Sequence, residues 1–307
     1  LDVNNNPDNP IINVRSFGEN PEEVAGLGAA FVRGVQENGA IATGKHFPGH
    51  GDTETDSHLG LPAIPHSRAR MDSVELFPFR HAIEAGMGAV MTAHISVPSL
   101  DGGVGDPSTL SSAVLTDLLR GEMEFDGLLF TDAMDMSAIS RGYGAEEASV
   151  RAIEAGADVI LMPPSVERAV EGIAAAVESG RIDASRIDAS VRRILETKKQ
   201  MGLDTDRVVQ IDQIGQVVGI PAHTQVAAEI AERSITLLHN GGNLLPLLGT
   251  RSARVMSVSF RRTSDVLAGR YFNARLRQTY PRLTTAGLDV DSVPALYESL
   301  LRQARQQ

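Results

Sequence analysis

From residue 1 to about 200 the apolar positions alternate between two periods: short runs of consecutive apolar residues, then longer stretches at helical spacing. Pro21 stands at a favoured first-turn position, and Val24, Leu27, Ala30, Phe31 and Val35 follow at helical spacing over 22–38, with Gly39 just past the end. The run Ala40-Ile-Ala-Thr43 then predicts a short strand leading into a loop. The unit recurs. A helix at about 72–86 precedes a strand at 89–94, one at about 109–122 precedes 127–132, and another precedes 158–162. Helices near 165–179 and 183–201 close the region, the last with Ile187, Val191, Ile194 and Leu195 in register.

Counting Leu1-Asp-Val3, this predicts five short apolar strands separated by helices, the pattern of a parallel sheet covered on both faces. Polar residues stand at the C-terminal ends of at least four of them: Asp2 and Asn4, Lys45 and His46, His94, and Asp132. In a barrel those ends converge on one site. The expected fold class is therefore α/β, a (β/α)8 TIM-barrel-type domain, with an open doubly wound sheet as the alternative. The chain opens on Leu1 at what reads as the end of a strand, so its front end, about three further βα units, is expected to lie upstream.

The domain boundaries expected are 1–202 for the barrel, 203–221 for a polar, aperiodic linker, and 222–307 for a partial α/β sandwich domain. In the last, a helix at about 223–233 leads to strand-like Ser234-Ile-Thr-Leu-Leu238, a turn at 240–246, a strand at 253–258, and helices near 263–278 and 292–305.

Composition narrows the partners. A net charge of -11, without a basic cluster to offset it locally, makes nucleic acid an improbable ligand, and the absence of any run of about 18 apolar residues predicts no membrane span. Zero cysteines exclude disulfides, thiolate metal sites and a cysteine nucleophile, and leave the compartment open.

The densest chemistry is Lys45-His-Phe-Pro-Gly-His-Gly-Asp-Thr-Glu-Thr-Asp-Ser-His58, which reads as an exposed functional loop. If the segment is extended, Asp56 and His58 point the same way, so the carboxylate can orient the imidazole as a proton-transfer dyad; the competing reading is a solvated pair with no task. A metal site built from His46, His50, Asp52, Asp56 and His58 is a further reading, without a diagnostic spacing to support it. Asp132 leaves a buried strand, where a carboxylate is costly unless solvated or paired; it is either a reacting group or a helix N-cap for Ala133-Met134.

These segments, with Asp2-Val-Asn-Asn-Asn-Pro-Asp-Asn-Pro10, Asn13-Val-Arg-Ser-Phe-Gly-Glu19, Val90-Met-Thr-Ala-His94, Phe130-Thr-Asp-Ala-Met134 and Ser234-Ile-Thr-Leu-Leu-His-Asn-Gly-Gly-Asn-Leu-Leu-Pro246, resemble the β-N-acetylglucosaminidase branch of glycoside hydrolase family 3 over essentially the full length. The resemblance implies a retaining enzyme with Asp132 as nucleophile, His58 as acid/base and Asp56 orienting it, where most glycosidases use a second carboxylate. It further implies that Arg15, Lys45 and His46 bind the sugar, that the peptides 45–46 and 47–48 are cis, and that neither cofactor nor metal is needed. The expected partner is a small carbohydrate or muropeptide of peptidoglycan turnover. A bacterial protein that is exported (periplasmic, extracellular or lipoprotein-anchored) is expected over a cytoplasmic one. Some relatives use phosphate in place of water, so a phosphorylase stays open. So do another β-glycosidase of the family, a metal-dependent barrel hydrolase and a non-catalytic glycan-binding fragment. The resemblance also implies a further sugar-binding acidic residue on an early strand, expected upstream of Leu1.

Overall fold

The computed structural model describes residues 1–57, 59–243, 245–246 and 251–305. The chain divides into two compact units, Leu1–Val209 and Gln210–Gln307. The division falls inside the 203–221 stretch, which carries a short helix, Ile214–Val217. No helix among the described residues is long and apolar enough to cross a membrane.

The first unit is built on three parallel strands in the order β1 (Thr43–Phe47), β2 (Ala89–Thr92), β3 (Leu128–Phe130). Helix α1 (Pro21–Gln36) begins where the sequence predicts, with the Asn20 side chain accepting the amides of Glu22 and Glu23 and Pro21 in the first turn. The predicted helix at 72–86 is two, α2 (Arg68–Ser73) and α3 (Phe77–Glu84), and the segment Ala113–Glu122 is a π-helix. The short α4 (Ser137–Ser140) and then α5 (Ala145–Ala155), α6 (Val166–Glu178) and α7 (Ala184–Gln200) complete the unit. Phe47, Phe79, Leu76, Leu115, Phe125 and Leu129 form the centre of the core, and the Phe47 and Phe79 rings meet edge to face at 5.2 Å.

Three predicted strands differ, the first being Leu1-Asp-Val3, which takes no place in the sheet among the described residues. The strand expected at 40–43 lies at 43–47, so Lys45 and His46 belong to the sheet and not to the loop. The reason is alternation: Thr43 and Lys45 are exposed while Gly44 and His46 are buried, a period that the eye reads as loop because the inward residues are glycine and histidine. The strand expected at 158–162 is reduced to one parallel bridge, Phe130 to Val159. Side chains take the ladder's amides there: the Asp158 carboxylate accepts from Leu129 N at 3.0 Å, and Thr131 Oγ1 accepts from Leu161 N at 2.9 Å. Asp158 itself is fully buried and neutralised by Arg120 and Arg193 at 2.8 and 3.1 Å.

In the second unit β4 (Met256–Phe260) pairs in parallel with β5 (Thr284–Leu288), flanked by α8 (Pro221–Arg233), α9 (Arg270–Thr279) and α10 (Pro294–Ala304). Strand β5 carries no clear sequence signal, because Ala286 and Gly287 interrupt its apolar run. Ser234-Ile-Thr-Leu-Leu238, expected as a strand, is exposed and unpaired among the described residues; β-propensity alone makes no strand without a ladder partner.

Candidate active site

Two glycines let the loop after β1 pack closely, one against Glu75 and one against the start of the chain. Gly49 holds φ +127°, and a β-carbon there would meet Glu75 Cβ at 2.8 Å; at Gly51 one would run into the Val3 carbonyl. The peptides Lys45–His46 and Phe47–Pro48 are both cis. The result is close contact between this loop and Asp2, which is 5% exposed.

Asp2 accepts three hydrogen bonds: from His46 Nδ1 at 2.8 Å, His46 N at 3.0 Å and His50 N at 2.8 Å. Burial works to raise its carboxyl, but the adjacent His46 and its hydrogen bonds outweigh that and hold Asp2 well below the usual carboxylate range. Because a carboxylate only accepts, the proton on His46 is on Nδ1, and Nε2 faces Asp132 Oδ2 at 4.0 Å. Asp132 Oδ1 accepts from Ala133 N at 2.8 Å. Helix α4 begins only at Ser137, with Met136 preceding it, so Asp132 is not its N-cap; the carboxylate is 19% exposed at the end of β3, open to a ligand.

Below it, fully buried His94 spends both ring nitrogens, on Thr109 Oγ1 at 2.7 Å and the Ala133 carbonyl at 3.0 Å. Since a carbonyl only accepts, Nε2 carries the proton, and the bond fixes the Ala133–Met134 peptide just beyond Asp132. Arg15, Lys45, His46 and Asp2 line one small cavity together with Ile12, Ser16 and Phe17. A larger cavity, lined by Ala40, Gly86, Gly88, Asp126 and Arg193 among others, lies at the opposite, N-terminal ends of the strands, away from these groups.

Asp56 is half-buried, and its carbonyl accepts from Leu59 and Gly60 N at 2.8 and 3.1 Å. His58, the expected acid/base, lies outside the described residues. The structure therefore gathers His46, Asp132, Arg15 and Lys45 around Asp2, a carboxylate at a predicted strand end to which the sequence assigns no role. His50, Thr53, Ser57 and Asn9 belong to the same network. The clustering of asparagines in 4–9 was the signal available: Asn9 Nδ2 donates to the carbonyls of His50 and Gly51, each at 2.9 Å.

The described members of the metal set expected from sequence do not gather: His46 Nδ1 is bonded to Asp2, and both His50 ring nitrogens are bonded, to Thr53 and Ser57. Among the described residues the donors that do gather are Asp52, His66 and Glu75, within 4.8 Å of one another. Arg70 Nη2 stands 3.4 Å from both Asp52 Oδ2 and Glu75 Oε1, and Asp52 also accepts from His66 Nε2 at 2.8 Å. A guanidinium thus holds the place between the carboxylates that a cation would take. Burial pushes the Glu75 carboxyl up despite Arg70.

Burial lowers the pKa of His50 and of His94 from the ordinary 6.5. A base of this kind takes its proton first in the unfolded chain, so its stability contribution is complete above about pH 6.5 and is lost as pH falls from there toward the folded value. Glu75, raised in the fold, acts with the opposite sign at lower pH. Urea unfolding at pH 7 and pH 5 should show a lower midpoint at pH 5, and His94→Gln should shrink the difference; an unchanged difference would assign the acid sensitivity to other groups.

The profile of the glycosyl hydrolase family 3 N terminal domain matches residues 1–197. A β-hexosaminidase A from Pseudoalteromonas piscicida is 37% identical over 266 residues, 80% of this chain and 44% of that protein. The solved glycoside hydrolase family 3 β-N-acetylglucosaminidase from Paenibacillus sp. str. FPU-7 superposes with a TM-score of 0.83 at 38% identity, over 99% of this chain and 59% of that one. A solved β-glucoside phosphorylase superposes at 0.84 with 27% identity, over 95% of this chain and 55% of that one. The chain spans about half the length of the curated relatives it matches. With the family profile running through β1, β2, β3 and every group around Asp2 and Asp132, this chain belongs to glycosyl hydrolase family 3.

Proposed function

We propose that the chain carries the reacting groups of a retaining exo-β-N-acetylglucosaminidase acting on terminal β-linked N-acetylglucosamine, with peptidoglycan-derived glycans as the expected source. The observation that carries this reading is Asp132 facing His46 Nε2 at 4.0 Å from a strand end, with the other nitrogen of that imidazole bound to a buried carboxylate. Asp132 attacks the anomeric carbon as the glycosidic bond breaks, and His58, oriented by Asp56, gives its proton to the departing oxygen. The neutral imidazole then takes a proton from water as that water displaces Asp132 from the same carbon, so two inversions retain configuration. Arg15, Lys45 and His46 hold the sugar hydroxyls. In this reading residues 1–202 are part of a (β/α)8 barrel, 203–221 a linker and 222–307 part of an α/β sandwich domain. The names of the relatives at 37% and 38% identity support the N-acetylglucosaminide preference.

A phosphorylase reading rests on the β-glucoside phosphorylase of like fold, and differs only in which nucleophile enters second. One experiment separates them: p-nitrophenyl N-acetyl-β-glucosaminide and the matching glucoside are offered with and without phosphate and a chelator, and the sugar product is identified. Free N-acetylglucosamine, insensitive to chelation, is the expected result. A sugar 1-phosphate would make the enzyme a phosphorylase, preference for the glucoside would overturn the substrate assignment, and loss on chelation would overturn the mechanism.

A further inference from the structure

The mechanism above uses two groups on different segments, Asp132 after β3 and His58 in the loop after β1, and says nothing of what keeps them in register. A buried network that runs from Asp132 to Ser57, the residue before His58 in sequence, supplies an answer. Asp2 Oδ1 accepts the amides of both His46 and His50, and the two rings lie 5.9 Å apart, edge to face. They point in different directions. His46 turns Nε2 to Asp132, whereas His50 turns its ring into the loop, with Nδ1 at 2.8 Å from Thr53 Oγ1 and Nε2 at 3.0 Å from Ser57 Oγ.

His50 is 2% exposed and so is Ser57. Burial keeps the His50 imidazole neutral, with one donor and one acceptor nitrogen. A hydroxyl stands at each nitrogen, and a hydroxyl can donate or accept, so both are satisfied without a charge. Ser57 is held from a second side, where its carbonyl accepts from Ala138 N at 3.4 Å, in the segment that follows Asp132. It is also the residue between Asp56 and His58.

We propose that His50 is a positioning residue for the acid/base: its bond to Ser57 sets the backbone that carries Asp56 and His58, and the shared Asp2 carboxylate ties this clamp to the His46–Asp132 side of the site. The inference rests on the roles given to Asp132 and His58 above. His50 touches neither substrate nor reacting atoms, and its effect is geometric. A small displacement of a proton donor from the leaving oxygen costs on the order of tenfold to a hundredfold in rate.

The test uses Ser57→Ala, which removes the hydroxyl that His50 holds, Ser57→Thr, which restores one, and His50→Gln as a second way to break the clamp. Three readouts are taken on the full chain: kcat and KM for an aryl and for a disaccharide substrate, the pH profile of kcat/KM, and the titration of the His58 ring followed by NMR with 15N-labelled histidine. Ser57→Ala is expected to lower kcat/KM about tenfold or more on the disaccharide, whose leaving group needs the proton, with less effect on kcat/KM of the aryl substrate, while kcat falls on both because the second step needs the base. It should displace the His58 titration and the matching limb of the pH profile, and Ser57→Thr should restore both. A folded Ser57→Ala or His50→Gln protein with an unchanged His58 titration would overturn the proposal. The NMR readout needs no turnover, so a wild-type chain inactive on every N-acetylglucosaminide would sink the functional reading while the clamp is still judged on its own.

Discussion

Asp132→Asn should lower hydrolysis of p-nitrophenyl N-acetyl-β-glucosaminide by about four orders of magnitude while leaving KM within a fewfold of wild type. The asparagine keeps the shape of the side chain, and its carbonyl oxygen can still accept the Ala133 amide that now binds Oδ1 at 2.8 Å. What it lacks is an anionic oxygen to form the bond to the anomeric carbon and to offset the charge that develops there. Under the proposed roles, sugar binding through Arg15, Lys45 and His46 should be untouched, which is why the loss should appear in kcat. A complementary measurement uses Asp132→Ala with added azide. In the space left by the carboxylate, azide attacks from the face the nucleophile used, and the product should be the α-glycosyl azide. Wild-type rates in Asp132→Asn would remove Asp132 from the mechanism, and the exposed Asp135, three residues on, would become the carboxylate to test.

His58→Ala should behave differently, and the difference is diagnostic. General acid/base catalysis contributes on the order of 10^2 to 10^4 in rate. A p-nitrophenolate departs without much help, so with that substrate the first step should survive and the second, in which water must be deprotonated, should limit turnover. The expected record is a burst of p-nitrophenol followed by a slow steady state that azide accelerates, since azide needs no base. With a disaccharide the first step itself should fail, and no burst should appear. Equal losses on both substrates, with no rescue, would reassign His58 to a structural task. A histidine in this position also has a physical rationale: a neutral imidazole does not repel an anionic leaving group or an incoming phosphate as a carboxylate would. His58→Glu, compared on neutral and anionic aglycones, should lose more on the anionic one.

The outline of the first unit was legible in the sequence because its elements are local. Helices α1, α6 and α7 begin and end within a few residues of where periodicity, caps and terminal glycines place them. Strands β2 and β3 are buried apolar runs and read as such. The failures have a common cause: each depends on a partner that sequence does not reveal. Residues 234–238 have β-propensity and no ladder; Thr284–Leu288 has a ladder and weak propensity; 158–162 has apolar residues, but the Asp158 carboxylate takes the Leu129 amide of the neighbouring strand and Thr131 Oγ1 takes the Leu161 amide. The chemistry followed the same rule. Asp132 and the loop at 45–58 stand out by residue type, whereas Asp2 looks like one acid among 39 Asp and Glu residues until the fold puts His46 and His50 on it.

The amino-acid sequence alone therefore determines the alternating α/β order, the family and the segments where chemistry sits, because periodicity, capping and motif density are properties of neighbouring residues. Only the tertiary structure decides that a carboxylate 44 positions upstream orients the His46 ring toward Asp132, that the His50 ring meets Thr53 and Ser57, and that Arg70 stands between Asp52 and Glu75. Those are contacts between segments far apart in the chain, set by how buried polar groups find partners once the strands have been laid side by side.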